Sequence, residues 1–457
     1  LEILRNHQAR WAELRWSKKS EYPMQVIQSI WKLCSNILAH LDIDGNLNFV
    51  QIPSAYRNIP EREWSVMVSP RRIRDFGIDP GQDLLVLLER SSVTDPFYRI
   101  WIQTMSTAEK HPLAIGSGVI DYRPSFLLRT SSSIEISLDY VGILFHGRND
   151  AVEGELIIWE WKTGSKKLHL ASIGLQSFCF LSERHVLLSL MTSSGADNRV
   201  ELLVVDFEQE GPIRQACPDV THGYKLSLPA FEASVHLDIL TTTSYPPPSW
   251  APFSDLDVPF HIAQEGRLFV ISLWVRKNTL VDHLTLVVPH CTLLSRLDLL
   301  GPISNSSPLA WDAWGPTGSR MMHYRPNQDF ESPAYNVYGT KYIFSECRSS
   351  KFIVHLFDFN QCALRSAISK GHKISEMDIF DIMMGSLECD SSLCVTAPSI
   401  FQAGDIFREE VRTYLPYRWM AKEIPVTSSS ACGTMFSEDS IIVVYFDEVS
   451  TNLFLQV

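Results

Sequence analysis

The stretch that decides the fold is Gly154–Gly164, GELIIWEWKTG, an apolar and aromatic run that ends in a Lys162-Thr163-Gly164 turn. A short run of β-branched and aromatic residues bounded by glycines reads as a buried strand. Lys167-Leu168-His169-Leu170 then leads away from the turn. Weaker copies of this unit recur along the chain.

Six segments can be laid over one another: 78–88 (IDPGQDLLVLL), 136–146 (ISLDYVGILFH), 180–190 (FLSERHVLLSL), 262–272 (IAQEGRLFVIS), 337–347 (VYGTKYIFSEC) and 435–445 (MFSEDSIIVVY). Each has an apolar opening, a few turn-forming or polar residues, and an apolar run, which is the pattern of a tight hairpin. A second strand follows each within about a dozen residues: 97–105, 155–164, 200–207, 283–289, 351–359 and 451–457. The unit is therefore roughly four strands. A lone hairpin is marginal in water, and stacking such units into a closed ring buries both sheet faces and removes exposed edges. Leu41–Val50, with Asp44-Gly45 at a turn, supplies a further hairpin. The expected fold is all-β, a divergent β-propeller of about seven four-stranded blades.

Only the step from residue 136 to residue 180 has the length of roughly 40–45 residues typical of a WD-type blade. The longer steps carry inserts or hide a degenerate blade. Tyr245-Pro246-Pro247-Pro248-Ser249-Trp250 is a rigid non-sheet segment. Residues 301–328 and 366–407 are rich in Ser, Pro, Gly and Asp.

The N-terminus follows a different period. Leu1, Leu4, Trp11 and Leu14 share one face at helical spacing, and Pro23 would stop such a helix. This gives a helical segment over residues 1–22 and a propeller-like interaction domain over 23–457. The chain opens on Leu1 rather than Met and reads as a fragment of a longer product.

With 45% hydrophobic and 20% charged residues, the 457-residue chain is globular rather than disordered. A net charge of −12 without a dense Lys/Arg block argues against nucleic acid and anionic membranes as partners. No apolar run approaches the ~20 residues that span a bilayer. Nine cysteines without a Cys-x-x-Cys pair, the nearest being Cys389 and Cys394, suit reduced thiols in a cytoplasmic or nuclear protein.

Motifs for catalysis, phosphate cradling and metal binding are missing, so neither cofactor nor metal is expected. Asp42, Asp44 and Asn46 resemble a calcium loop, but their glycine comes too early and no Glu closes it. Ile115-Gly116-Ser117-Gly118 reads as a strand-end turn. His146 and His355 read as sheet residues, and Glu409-Glu410 beside Arg408 and Arg412 as a solvated face. The candidate partner-binding residues are Trp250, Trp311 and Trp314, tryptophans set among Pro, Gly and Ser, because aromatics dominate interface hot spots. Their alternative role is to cap blade ends as core.

Two resemblances sharpen this. Residues 158–164, IWEWKTG, resemble the third strand and turn of a WD repeat, though no copy has the preceding Gly-His. Over nearly its whole length the chain resembles the F-box proteins of mushroom-forming fungi, in the region after the F-box. The landmarks run in order: LRNHQARW (4–11), LNFVQIPS (47–54), IRDFGIDP (73–80) with QDLL (82–85), TMST (104–107) with HPL (111–113), WEWKTG (159–164) and LPYR (415–418). The resemblance implies a non-catalytic substrate-recognition region of a cullin-RING ubiquitin ligase subunit, holding a target protein. The ligase adaptor would bind only through the F-box, which these residues lack. The alternatives are a propeller hydrolase or lyase with an active site at the central channel, and a scaffold propeller with no ligase link.

Overall fold

The computed structural model describes residues 2–456 apart from 17, 25–29, 69–71, 91–96, 126–130, 147–152, 195–196, 252–256, 304–305, 325–334, 349–350, 376, 378–390, 425–430 and 446–449. Among the described residues, strands pair into six four-stranded sheets, one six-stranded sheet and one two-stranded sheet, antiparallel except where Ile374–Ser375 meets Ser391–Val395. They form a ring, a β-propeller with a short N-terminal helix. Numbered along the chain, blades 1 to 5 begin with inner strands Trp31–Cys34, Ile73–Asp79, Ser131–Ser137, Leu175–Phe180 and Val235–Thr243. Blade 6, the enlarged one, begins with Val337–Tyr338, and blade 7 with Ala431–Phe436.

Middle strands explain why the ring closes. Leu84 to Leu88 in blade 2 are all inaccessible to solvent, as are Leu156, Ile157 and Ile158 in blade 3. A strand buried on both faces needs apolar residues throughout, not alternation, and only a sheet flanked by two other sheets supplies that environment. Trp159 packs at 3% exposure in the core shared by blades 2 and 3. Trp161 donates from its indole N–H to Leu138 O at 2.9 Å and meets His111 of blade 2 edge-on at 4.8 Å. The aromatic stretch is thus packing between blades, and Thr163 in its turn is exposed.

The last blade is completed by the first strand of the chain. Lys18–Met24 pairs antiparallel with Ser450–Gln456, from Lys18 opposite Gln456 to Met24 opposite Ser450. This corrects the expected boundary at 22/23: the helix is only Glu2–Trp11, and propeller structure starts at Lys18. Leu14, at φ 45°, breaks the helix and turns into the core. Pro23 lies in the outermost strand of its sheet, where a missing N–H disturbs no ladder.

A buried polar cluster fastens the helix and the first blade to the last. Arg57 donates from Nε to Asp439 Oδ2 at 2.6 Å and from Nη2 to Asn36 Oδ1 at 2.6 Å, and its Nη1 lies 3.0 Å from Glu438 Oε2. Asn36 donates to the same Asp439 oxygen at 3.1 Å. His7 sits 3.0 Å from Asp439 Oδ1, and Trp11 donates to Glu438 O at 2.9 Å. Burial alone would raise the Asp439 pKa, but Arg57 and His7 hold it at about 2.

The remaining expectations fall as follows. Five of the six aligned hairpins are the inner hairpins of blades 2, 3, 4, 6 and 7. Residues 262–272 are not a hairpin: Leu268–Lys277 pairs with Val235–Thr243 across the long segment 244–267. The long steps are insertions in blades 5 and 6, not a hidden blade. Asp42 takes two backbone N–H groups and the amides of Asn46 and Asn48, which occupies the carboxylate that a cation would need. Cys389 lies outside the described residues; Cys34, Cys179, Cys217, Cys291, Cys362 and Cys394 are free thiols.

Two substitutions test this packing. Trp159→Ala should cost about 3–5 kcal/mol in urea unfolding, as expected for a large buried aromatic. Arg57→Met should cost about 3–5 kcal/mol because Asp439 and Glu438 would be left as uncompensated buried carboxylates. A near-neutral result for either would remove that residue from the closure.

Candidate functional site

On an inner strand alternate side chains face opposite ways. In blade 3, Ile134 and Ile136 pack toward Gly77 of blade 2, so Glu135 between them faces away, toward the axis. The same alternation in blade 1 sets Lys32 apart from Trp31 and Leu33, and in blade 2 sets Asp75 apart from Phe76. Lys32 Nζ lies 3.2 Å from Asp75 Oδ1, with 20% and 10% of their side chains exposed. Electrostatic coupling joins Lys32, Asp75 and Glu135 to Tyr335 of blade 6, and joins Glu135 to Cys179 of blade 4 and to Tyr245, which follows the first strand of blade 5. Polar groups from six blades therefore meet around the axis.

Their protonation follows from that enclosure. Burial alone would favour a neutral Lys32, yet Asp75, Tyr335 and Glu135 outweigh it and keep the amine protonated. Burial raises Asp75, opposed by Lys32 and by the Phe76 N–H. Burial pushes Glu135 up to about 7, with Lys32 pulling down and Asp75 adding to the rise. The thiols of Cys34 and Cys179 are raised well above their ordinary value by burial. Among the described residues no His joins this group, and none of the His/Cys/Asp/Glu side chains cluster as a metal site.

Two stretches, 244–251 and 257–266, lie across one end of the ring. Tyr245 packs obliquely against Tyr335 with centroids 5.4 Å apart. Pro248 O accepts from Ser137 of blade 3, and Ser249 hydrogen-bonds Glu183 of blade 4. Ala251 O approaches blade 2 so closely that a Cβ on Gly81 would lie 2.5 Å from it. Phe260 reaches His7 of the N-terminal helix at 5.2 Å, and Ile262 covers Gly339 of blade 6. Arg267 fixes the strap by donating to Leu181 O at 2.6 Å and to Pro246 O at 3.3 Å. The strap and the helix together occupy this face.

A second concavity lies on the side of the ring. The blade 5 insertion adds along the outer edge of blade 4, with Ser227 N donating to Leu309 O and Leu309 N to Lys225 O. The blade 6 insertion docks beside it, Arg408 N donating to Ala230 O and Glu232 N to Ile406 O. Between them is a cleft of about 520 Å³. Val200, Leu228, Pro229, Trp311 and Val411 give it apolar walls; Arg199, Glu201, Asp312, Arg408, Glu409 and Glu410 give it a rim of mixed charge.

The three tryptophans expected at a partner site are all buried. Trp311 is 8% exposed and lines the side cleft. Trp314, at 3%, meets Trp311 edge-on at 5.1 Å and donates to Ser227 O, so it holds the cleft wall rather than presenting a surface. Trp250, at 6%, belongs to the strap, and its indole N–H has no acceptor among the described residues. Only Trp311 reaches a candidate site. The axial residues Lys32, Asp75 and Glu135 escaped sequence reading, although one polar residue recurs a few positions before each inner turn.

No family model matches this chain, and no curated protein matches it. Among solved structures, it is similar to the WD40 domain of SCAP from fission yeast, at 9% identity over 97% of each chain with a TM-score of 0.37. It is also similar to the uncharacterized protein lmo1340 from Listeria monocytogenes EGD-e, at 9% identity over 74% of this chain and 94% of that one, with a TM-score of 0.31. Likenesses this distant carry nothing about partners; the propeller stands on its own strand pairing.

The raised Glu135 has a measurable consequence. Between its ordinary 4.5 and about 7, the folded chain holds a proton that the unfolded chain has released. Its contribution is therefore favourable below about 4.5 and is lost as pH rises through about 7. Asp75 and Asp79, also raised by burial, add the same sign. Glu135→Gln should flatten the decline in urea midpoint between pH 5 and pH 8; an unchanged slope would refute the assignment.

Proposed function

We propose that this chain is a non-catalytic protein-interaction module, and that it serves as the target-recognition region of an F-box subunit of a cullin-RING ubiquitin ligase. The side cleft carries the interaction reading. It is built by the two insertions that depart from the plain blade, and it combines an apolar floor with a charged rim, the arrangement by which interfaces gain both burial and specificity. Insertions on a rigid scaffold are where binding residues usually sit. The face covered by the strap and helix leaves the flank of blades 4 to 6 accessible to a macromolecule. The ligase part rests on the ordered sequence landmarks.

A binding role also fits the axial group better than hydrolase or lyase chemistry does. Lys32 is held protonated, so it lacks the lone pair of a nucleophile or base. Cys34 and Cys179 are held as thiols, and the thiolate is the reactive form.

Two measurements test the proposal. Full-length gene product, purified from its own cells, should retain the ligase adaptor and a cullin subunit; recovery of neither overturns the ligase assignment. A photo-crosslinking residue at the exposed position Asp312 should capture the target, and Arg408→Glu with Glu409→Lys should reduce that capture at least about tenfold. Such surface changes ordinarily alter stability by no more than about 0.5 kcal/mol. Undiminished capture would place recognition away from the cleft.

A further inference from the structure

The walls of the side cleft come from four stretches of chain: 199–201 in blade 4, 227–230 at the end of its outer strand, 308–312 of the blade 5 insertion and 408–411 of the blade 6 insertion. Their backbone leaves little for a guest to pair with. Ser227 N–H donates to Leu309 O at 3.0 Å and Leu228 N–H to Val200 O at 3.0 Å, while Pro229 and Pro308 have no N–H to offer. A guest strand therefore cannot be added along this wall as it can along an open sheet edge. Recognition falls to side chains that enter the cleft.

The apolar part is preformed. Trp311 meets Trp314 edge-on at 5.1 Å, and the Gly315 backbone comes so close that a Cβ there would lie 2.3 Å from the Trp311 ring. The Trp314 indole is itself anchored on Ser227 O at 3.0 Å. Trp311 is thus set among Val200, Leu228, Pro229 and Val411 before a guest arrives, which removes the ordering cost that a mobile aromatic would add. An apolar cavity of about 150 Å³ holds one benzene ring. The 520 Å³ of this cleft admits more than one side chain.

Charge then decides between guests. The rim carries the carboxylates of Glu201, Asp312, Glu409 and Glu410 against the guanidinium groups of Arg199 and Arg408. Glu201 is met by Lys225 Nζ at 3.4 Å, and Glu410 by Arg412 Nε at 2.6 Å. Both rim arginines are engaged as well. Asp312 and Glu409 are exposed and take no hydrogen bond or ion pair from the described residues. The open charge of the cleft is therefore negative, with one carboxylate contributed by each insertion. An acidic guest would be repelled by both, whereas a guest with Lys or Arg gains a partner for each. Exposed ion pairs are weak singly, so the apolar walls supply affinity and the rim supplies the choice of partner. A cation entering beside Trp311 is also favoured by the indole ring.

We propose, on the reading of the side cleft as the protein-binding site, that its guest is a basic segment: a large apolar side chain flanked by Lys or Arg. The apolar group seats against Val200, Leu228, Trp311 and Val411, and the cations face Asp312 and Glu409.

Selection of phage-displayed random dodecapeptides on the 457-residue chain tests this. The enriched peptides should carry more Lys and Arg than Asp and Glu, together with a large apolar residue. Ala310 is exposed and lines the cleft, so Ala310→Trp should fill it and abolish their binding. Should that variant misfold, Ala230→Trp fills the same space from another exposed position of the lining. Asp312→Asn with Glu409→Gln should weaken the peptides at least about tenfold, and Glu410→Gln, whose carboxylate already has Arg412, by no more than about twofold. Acidic or uncharged peptides that the filling variant abolishes would overturn the basic guest and leave the cleft as a binding site. So would basic peptides that the double variant leaves unweakened, or that Glu410→Gln weakens equally. Dimerisation of the chain that Ala310→Trp abolishes would give the cleft to a second copy and likewise overturn the proposal. Peptides indifferent to both filling variants would overturn the cleft reading together with it. A selection that enriches nothing overturns the basic guest, and capture at Asp312 then judges the cleft by itself.

Discussion

The structure depends on ring closure. A propeller whose last blade lacked its outer strand would leave an open edge and one unburied sheet face, and here the missing strand comes from the opposite end of the chain as Lys18–Met24. Strand pairing alone would permit slippage. The Arg57–Asp439 pair limits it, since both side chains are fully enclosed and a buried charge displaced from its partner is strongly disfavoured. Asn36, Glu438 and His7 occupy most of the remaining donors and acceptors around the pair, so one arrangement of helix, blade 1 and blade 7 satisfies the cluster. Closure also sets the axis. Lys32 and Asp75 belong to different blades, and their 3.2 Å approach exists only because blade 1 is fixed against blade 2 within a complete ring.

Where the chain departs from the plain four-strand unit, it builds surface rather than core. The strap between the first two strands of blade 5 touches the turns of blades 2, 3, 4 and 6 and the N-terminal helix, so it links elements that the ring alone keeps apart. Three successive prolines restrict its backbone before it docks, which lowers the entropy lost on ordering it. The insertions of blades 5 and 6 add to the flank of blade 4 by backbone hydrogen bonds, which gives the side cleft walls as rigid as the blade itself.

Much of this was legible in the sequence because it follows local rules. Asp79-Pro80-Gly81-Gln82 reverses the chain by its own turn chemistry, and 84–88 is apolar on both faces, so blade 2 could be drawn from its residues. What stayed hidden depends on distant partners. Residues 262–272 look like a hairpin, yet the strand that pairs with Leu268–Lys277 lies before the strap. His7 lies within the N-terminal helical segment, and only Asp439, more than 400 residues away, makes it core. In SSSIEIS (131–137) the single Glu reads as the solvent side of an alternating strand. That side of the strand is enclosed by protein, and Lys32 of blade 1 and Asp75 of blade 2 set its electrostatics. The tryptophans misled for the opposite reason: a Pro/Gly setting marks a loop, but here the loops pack, and Trp314 and Trp250 are interior to them.

An unpaired carboxyl beside the axis is not what stability alone would place there. Ser133 and Ser137 flank Glu135 on the same side of the strand, and a third small polar residue would remove the desolvation that holds its proton to about 7. Lys32 relieves that cost only in part, because its ammonium is engaged at 3.2 Å by Asp75. By contrast, the buried charges of the closure cluster are met by ion pairs or hydrogen bonds that fix the ring. The two groups are alike in burial and differ in completeness. The closure cluster meets most of its charges within the chain, whereas Glu135 takes no hydrogen bond from the described residues. The same ring that encloses both groups therefore fixes the first and leaves the second as a cost to stability that grows as Glu135 ionises.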